Sequence, residues 1–166
     1  MMTKRHTDSE NTKPILRQFV YGTLKRDGWN HDRHISGFVS VEGTSVRGRL
    51  RWLSAGIPTL AIPPEDLLAV GTTDFVADMR LAERLSRELA GMPRPKVAEN
   101  WDEFSGELFT FDDPETRLPP LDRLEGFRPG ERSLYSRVLV AHPSGPVWLY
   151  TTPLIMVPSD PCGHYE

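Results

Sequence analysis

The chain has 166 residues, enough to close one hydrophobic core without metal or disulfide staples. Twenty Lys and Arg stand against 23 Asp and Glu, a net charge of -3 with no long block of either sign, which argues against a binder of nucleic acid or anionic membrane. The single cysteine, Cys162, excludes an internal disulfide and a cysteine-rich zinc site, and a small molecule is the expected partner.

Residues 1–14 are polar, poor in apolar side chains and closed by Pro14, so they read as a disordered leader. They lack the apolar core of a signal peptide, and no later segment reaches the length of a membrane span, so the expected location is cytoplasmic. The folded domain is expected over residues 15–152. Ile15 to Val20 reads as a strand that feeds a tight turn at Tyr21-Gly22. From Ser45 to Leu53 the chain alternates, with Val46, Gly48, Leu50 and Trp52 on one face and Arg47, Arg49 and Arg51 on the other, the period of a half-buried strand. Pro58 to Ile62 adds another short strand. A helical insertion is expected over about 64–104: Phe75, Met79, Ala82, Leu85 and Leu89 recur at helical spacing, with a cap at Thr73-Asp74 and a stop at Gly91-Met92-Pro93. Gly106 to Phe111, Leu134 to Ala141 and Val147 to Thr151 complete six short strands, which suggest a small barrel or curled sheet, and residues 153–166 form a C-terminal tail.

Chemistry is concentrated in Leu118-Pro119-Pro120-Leu121-Asp122-Arg123-Leu124-Glu125-Gly126. Paired prolines belong at or before a helix's first turn and glycine suits its end, so this run is expected to hold a short helix. Leu121 and Glu125, four residues apart, share a face with Leu124 beside them. Leucines packed inward would then carry the Glu125 carboxylate with them, while Asp122 and Arg123 face water. Burial and the negative end of the helix dipole both favour the protonated carboxyl, which raises its pKa toward neutrality and suits a group that takes and returns a proton. The Tyr21-Gly22-Thr23-Leu24 turn supplies a glycine that admits a ligand to the backbone, and amides that can converge on a carboxylate or oxyanion. His31 and His34 have a metal-like spacing but no third ligand nearby, and read as solvated loop histidines. The arginines of the Ser45–Leu53 strand read as a solvated or acid-paired face, and the four tryptophans as core or pocket wall.

Taken together, Phe19-Val20-Tyr21-Gly22-Thr23-Leu24-Lys25, Gly106-Glu107-Leu108-Phe109, Leu121-Asp122-Arg123-Leu124-Glu125-Gly126, Tyr135-Ser136-Arg137 and Trp148-Leu149-Tyr150 resemble the γ-glutamylcyclotransferase-like superfamily, which includes the AIG2-like proteins. The resemblance implies an α+β fold, a small mixed β-barrel of about six strands with flanking helices. It also implies an enzyme that converts a γ-glutamyl amine or amino acid to 5-oxoproline and a free amine, with Glu125 as general acid/base and no metal or other cofactor. Tyr21, Gly22, Thr23 and Leu24 would hold the γ-glutamyl group and Tyr135 would line the pocket, whereas Arg137 and Tyr150 match as packing or structural hydrogen-bonding residues. The alternative is a family member that keeps the barrel as a non-catalytic small-molecule binding module.

Overall fold

Strand-forming runs and two amphipathic or capped helical segments alternate along the chain, and the computed structural model describes residues 13–21, 35–52, 58–133 and 135–152. The elements are β1 (Leu16–Val20), β2 (Ser40–Trp52), β3 (Pro58–Ala61), β4 (Leu67–Val70), α1 (Phe75–Glu88), β5 (Asp102–Phe111), α2 (Pro114–Glu125), β6 (Ser136–Val140) and β7 (Val147–Thr151). The fold is α+β: seven strands lie in the order β3-β2-β5-β1-β7-β6-β4, in a mixed sheet curled into a half-barrel with two helices packed on it. β1 runs parallel to β7, and the other neighbouring pairs are antiparallel. Residues 1–12 of the expected leader and the whole of the expected tail lie outside the described residues.

Side chains alternate between two apolar layers, as a pleated sheet requires. One face carries Leu16 and Val20 of β1, Phe109 and Phe111 of β5, and Trp148 of β7 against Met79 of α1 and Leu118 and Leu121 of α2. The opposite face, inside the curl, gathers Phe19, Val46, Leu108, Val138, Val147 and Leu149. Two clasps draw the curl together. On one side, Arg47 of β2 grips the buried carboxylate of Asp66, just ahead of β4, through both Nε and Nη2. On the other, the Thr59 hydroxyl of β3 donates to Thr152 Oγ1 at 2.6 Å and accepts from the Thr152 amide, while the Thr151 hydroxyl donates to the Leu60 carbonyl.

The helix expected from Phe75 onward forms as read, with the Asp74 side chain accepting from the Ala77 amide at 3.0 Å. Three strand expectations are corrected. Seven strands replace six, because Leu67–Val70, inside the stretch expected to be a helical insertion, pairs with β6; four residues are too few to show a period. β2 begins five residues earlier than Ser45, since residues 40–44 pair with 106–110 of β5 despite polar side chains. Finally, Val46 and Gly48 are buried as expected, but Leu50 and Trp52 on the same face are largely exposed, because there β2 has passed the end of β5 and pairs only with β3. Among the described residues no helix is long and apolar enough to cross a membrane.

At Gly106, β5 leaves no room for a side chain against β1: a Cβ there would stand 2.5 Å from both the Val20 carbonyl oxygen and Phe19 Cζ. Gly106→Ala is therefore expected to destabilise the protein by about 1–3 kcal/mol, read as a lower urea midpoint at unchanged m-value.

Candidate active site

Glu125 ends α2. The helix starts earlier than its prolines suggest, at Pro114, with Arg117 returning to the Asp113 carboxylate at 3.0 Å; Pro119 and Pro120 lie within it. The prolines cannot bond the carbonyls one turn back, which belong to two exposed residues, Glu115 and Thr116. At the other end Gly126 adopts the left-handed conformation at φ 67°, the Gly126 amide donates to the Arg123 carbonyl at 3.2 Å and the Phe127 amide to the Asp122 carbonyl at 2.8 Å. This is a Schellman stop, with Phe127 buried beneath it.

The longer helix changes which residues point inward. Leu118, Leu121, Asp122 and Glu125 follow the i, i+3, i+4, i+7 rule and form the inner stripe. Asp122, expected in water, is only 6% exposed, and Leu124, expected in the core, is 38% exposed. Arg123 is exposed as expected.

Asp122 is buried because Arg137 of β6 meets it. Arg137, 0% exposed, donates from Nε to Asp122 Oδ1 at 3.0 Å and from Nη2 to Oδ2 at 3.3 Å. Its Nη1 donates to Asp78 of α1 at 3.0 Å and its Nη2 to the Thr72 carbonyl at 2.9 Å. The Tyr150 hydroxyl donates to Asp122 Oδ1 at 2.6 Å, and the Thr72 amide and hydroxyl both donate to Asp78. Rings of Phe75, Phe127 and Trp148 surround the guanidinium. Burial alone would lower the Arg137 pKa, but the bonds and charge of Asp122, with Tyr150 and Asp78, raise it overall, so the arginine stays charged. The structural roles expected of Arg137 and Tyr150 are those they have.

Beside this cluster, one end of the half-barrel collects three of the residues expected at the site. Glu125 comes from the end of α2, Tyr21 from the end of β1 and Tyr135 from the start of β6. Desolvation pushes the Glu125 carboxyl up to about 7. Its charge reaches both phenols: burial first and Glu125 second raise the pKa of Tyr21, and the same two causes raise that of Tyr135. Tyr150, fully enclosed, is raised by burial and by Asp122, and it too senses Glu125. The Tyr21 hydroxyl donates to the Tyr150 carbonyl at 2.7 Å, and its ring meets Phe104 edge-on at 6.0 Å. Gly22, Thr23 and Leu24, expected to complete the cradle, lie outside the described residues, as do His31, His34 and Cys162.

Sequence reasoning missed Asp122 and the threonine clasp. The i, i+3 relation of Asp122 to Glu125 is the signal that places both on one helix face. A separate cavity of about 820 Å³ lies at the opposite end of β6, between the end of α1 and the turn after β6. There His142 bridges the hydroxyls of Thr44 and Ser144, at 2.9 Å and 2.8 Å, but the Ser144 and Gly145 amides already donate to His142, leaving neither as an oxyanion donor. Among the described residues no three His, Cys, Asp or Glu side chains converge as metal ligands. No family model, curated protein or solved structure matches the chain.

A carboxyl raised on folding binds more protons in the native than in the unfolded state between about 4.5 and about 7, so its contribution to stability is full below that window and lost as pH rises through it. Glu125→Gln is expected to stabilise the protein by about 1–3 kcal/mol at pH 8 and hardly at all at pH 4.5, as measured by urea unfolding.

Proposed function

We propose that the chain is a γ-glutamylcyclotransferase-like enzyme that releases an amine from a γ-glutamyl substrate by cyclising the glutamyl group to 5-oxoproline. The observation that carries this reading is the position of Glu125: a partly buried carboxyl poised near neutrality, sensed by Tyr21 and Tyr135, all three drawn from motifs that resemble that superfamily. The curled sheet is compatible with the small mixed barrel such a protein has.

In this mechanism the substrate's α-ammonium gives a proton to the Glu125 carboxylate, and the resulting amine attacks its own γ-carbonyl carbon. A carbon–nitrogen bond forms and closes a five-membered ring, and the carbonyl electron pair moves onto oxygen. The protonated Glu125 then gives its proton to the departing nitrogen, the old amide bond breaks, and the electron pair on oxygen returns to remake the carbonyl. Over the turnover two protons pass from the attacking to the leaving nitrogen, and a carboxyl titrating near 7 can carry each in turn. In this reading backbone amides of residues 22–24 hold the substrate carboxylate or the developing oxyanion.

The test is 5-oxoproline release from a panel of γ-glutamyl amino acids, γ-glutamyl amines and glutathione. Wild type is expected to turn over at least one of these, with kcat/KM rising through an apparent pKa of about 7, and Glu125→Gln is expected to lose about 10²–10⁴-fold of that activity. Activity untouched in Glu125→Gln removes the glutamate's role. Binding without turnover across the whole panel replaces the enzyme with a small-molecule binding module.

A further inference from the structure

The buried arginine cluster and the candidate site are joined by two covalent and hydrogen-bonded paths that begin at the same atom. Asp122 Oδ1 accepts from both Arg137 Nε and the Tyr150 hydroxyl. Along α2, Asp122 stands three residues before Glu125, on the same inner stripe, and its carbonyl receives the Phe127 amide that closes the helix. Along β7, Tyr150 presents its hydroxyl to Asp122 and its carbonyl to the Tyr21 hydroxyl. Arg137 itself lies two residues after Tyr135 on the strand that leads away from the site. Glu125, Tyr21 and Tyr135 come from three different elements, and one guanidinium ties all three to a common frame.

Resting on the function proposed above, we propose that Arg137 is a positioning residue: acting through Asp122 and Tyr150, it holds Glu125 and Tyr21 in the relative placement that acid/base chemistry at this site requires. It touches no substrate. The arrangement suits arginine in particular, because a planar fork can bond Asp122 twice while reaching Asp78 and the Thr72 carbonyl, and a lysine ammonium cannot make all of these bonds at once. Gly71 is shaped to the same end, since a Cβ there would lie 2.5 Å from Arg137 Nη1. Among the described residues, the titratable groups that sense the Glu125 charge are Tyr21 beyond β1, Tyr135 ahead of β6 and Tyr150 on β7, and Asp122 stands three residues before it on its own helix. Removing the Tyr150 hydroxyl changes none of their formal charges, so its effect on Glu125 reports placement. Loosened placement admits water to the carboxyl and lets it ionise more easily.

The experiment is a carboxyl-carbon NMR titration of protein labelled at glutamate Cδ, with the Glu125 resonance assigned by its absence in Glu125→Gln. Tyr150→Phe, which keeps the ring and the carbonyl, and Arg137→Lys, which keeps the charge, are each compared with wild type. A fall of the Glu125 midpoint by about 0.5 pH unit or more in Tyr150→Phe supports the proposal, and the same fall is expected in Arg137→Lys. A smaller change or a rise in Tyr150→Phe overturns it, even where thermal stability drops, because the cluster is then structural only. If Arg137→Lys does not fold, Tyr150→Phe alone decides. A wild-type midpoint in the ordinary carboxyl range overturns this proposal and the proposed function together, whereas a wild-type midpoint near 7 that ignores the variants overturns this one only.

Discussion

Sealing a guanidinium from water carries a desolvation cost of several kcal/mol, and two carboxylates brought in with it add their own. The cluster around Arg137 survives because nearly every polar atom in it is used: Asp122 accepts three hydrogen bonds, Asp78 accepts from Arg137 and twice from Thr72, and the guanidinium lies against Gly71 among three aromatic rings. An ion pair of this kind is weak as a source of net stability and strong as a constraint on geometry, since breaking any one bond strands a charge. Both helices are fixed to the sheet through it, α1 by Asp78 and α2 by Asp122, and so is the wall on which the candidate site is built.

Stability and chemistry pull against each other at the end of α2. Leu118 and Leu121 gain by burial, and the same stripe carries Glu125 toward a place where its ionised form is disfavoured. Asp122, one turn earlier on that stripe, is compensated by an arginine, whereas the pKa of Glu125 is raised by desolvation. Two carboxyl groups three residues apart are thus set in opposite surroundings by their neighbours, one anchored to Arg137 and the other desolvated and raised toward neutrality.

Much of this was legible in the amino-acid sequence, and the failures have physical causes. The period of Phe75, Met79, Ala82 and Leu85, with an Asp cap, identified α1, and the alternation around Val46 identified β2. Glu125 was picked out by its distance from Leu121 and by the glycine that ends its helix. What failed was the phase of that helix. Pro119 and Pro120 were read as its beginning, which hid Leu118 from the stripe and turned Asp122 outward and Leu124 inward; the exposure of Glu115 and Thr116, one turn before the prolines, is a tertiary fact that a local rule cannot contain. β4 escaped because its pairing with β6, some 70 residues away, decides its conformation where four residues of its own do not. Tyr21 and Tyr135 were legible through their motifs, but their electrostatic tie to Glu125 needed the sheet to bring them together.

The parallel pairing of β1 with β7 sets the order in which such a protein can mature. Tyr21 and the Tyr150 carbonyl that holds it are separated by 129 positions, so among the described strands the first to be synthesised waits for the last before its end of the sheet is complete. Until β7 arrives, β1 has only β5 beside it and the Arg137 cluster lacks the Tyr150 hydroxyl. A nascent or truncated chain can collapse around its apolar layers and still lack the bonds that Tyr150 makes to Asp122 and Tyr21. Completion of this end of the sheet is therefore a late event, reached when synthesis has passed Tyr150 rather than when the core first closes.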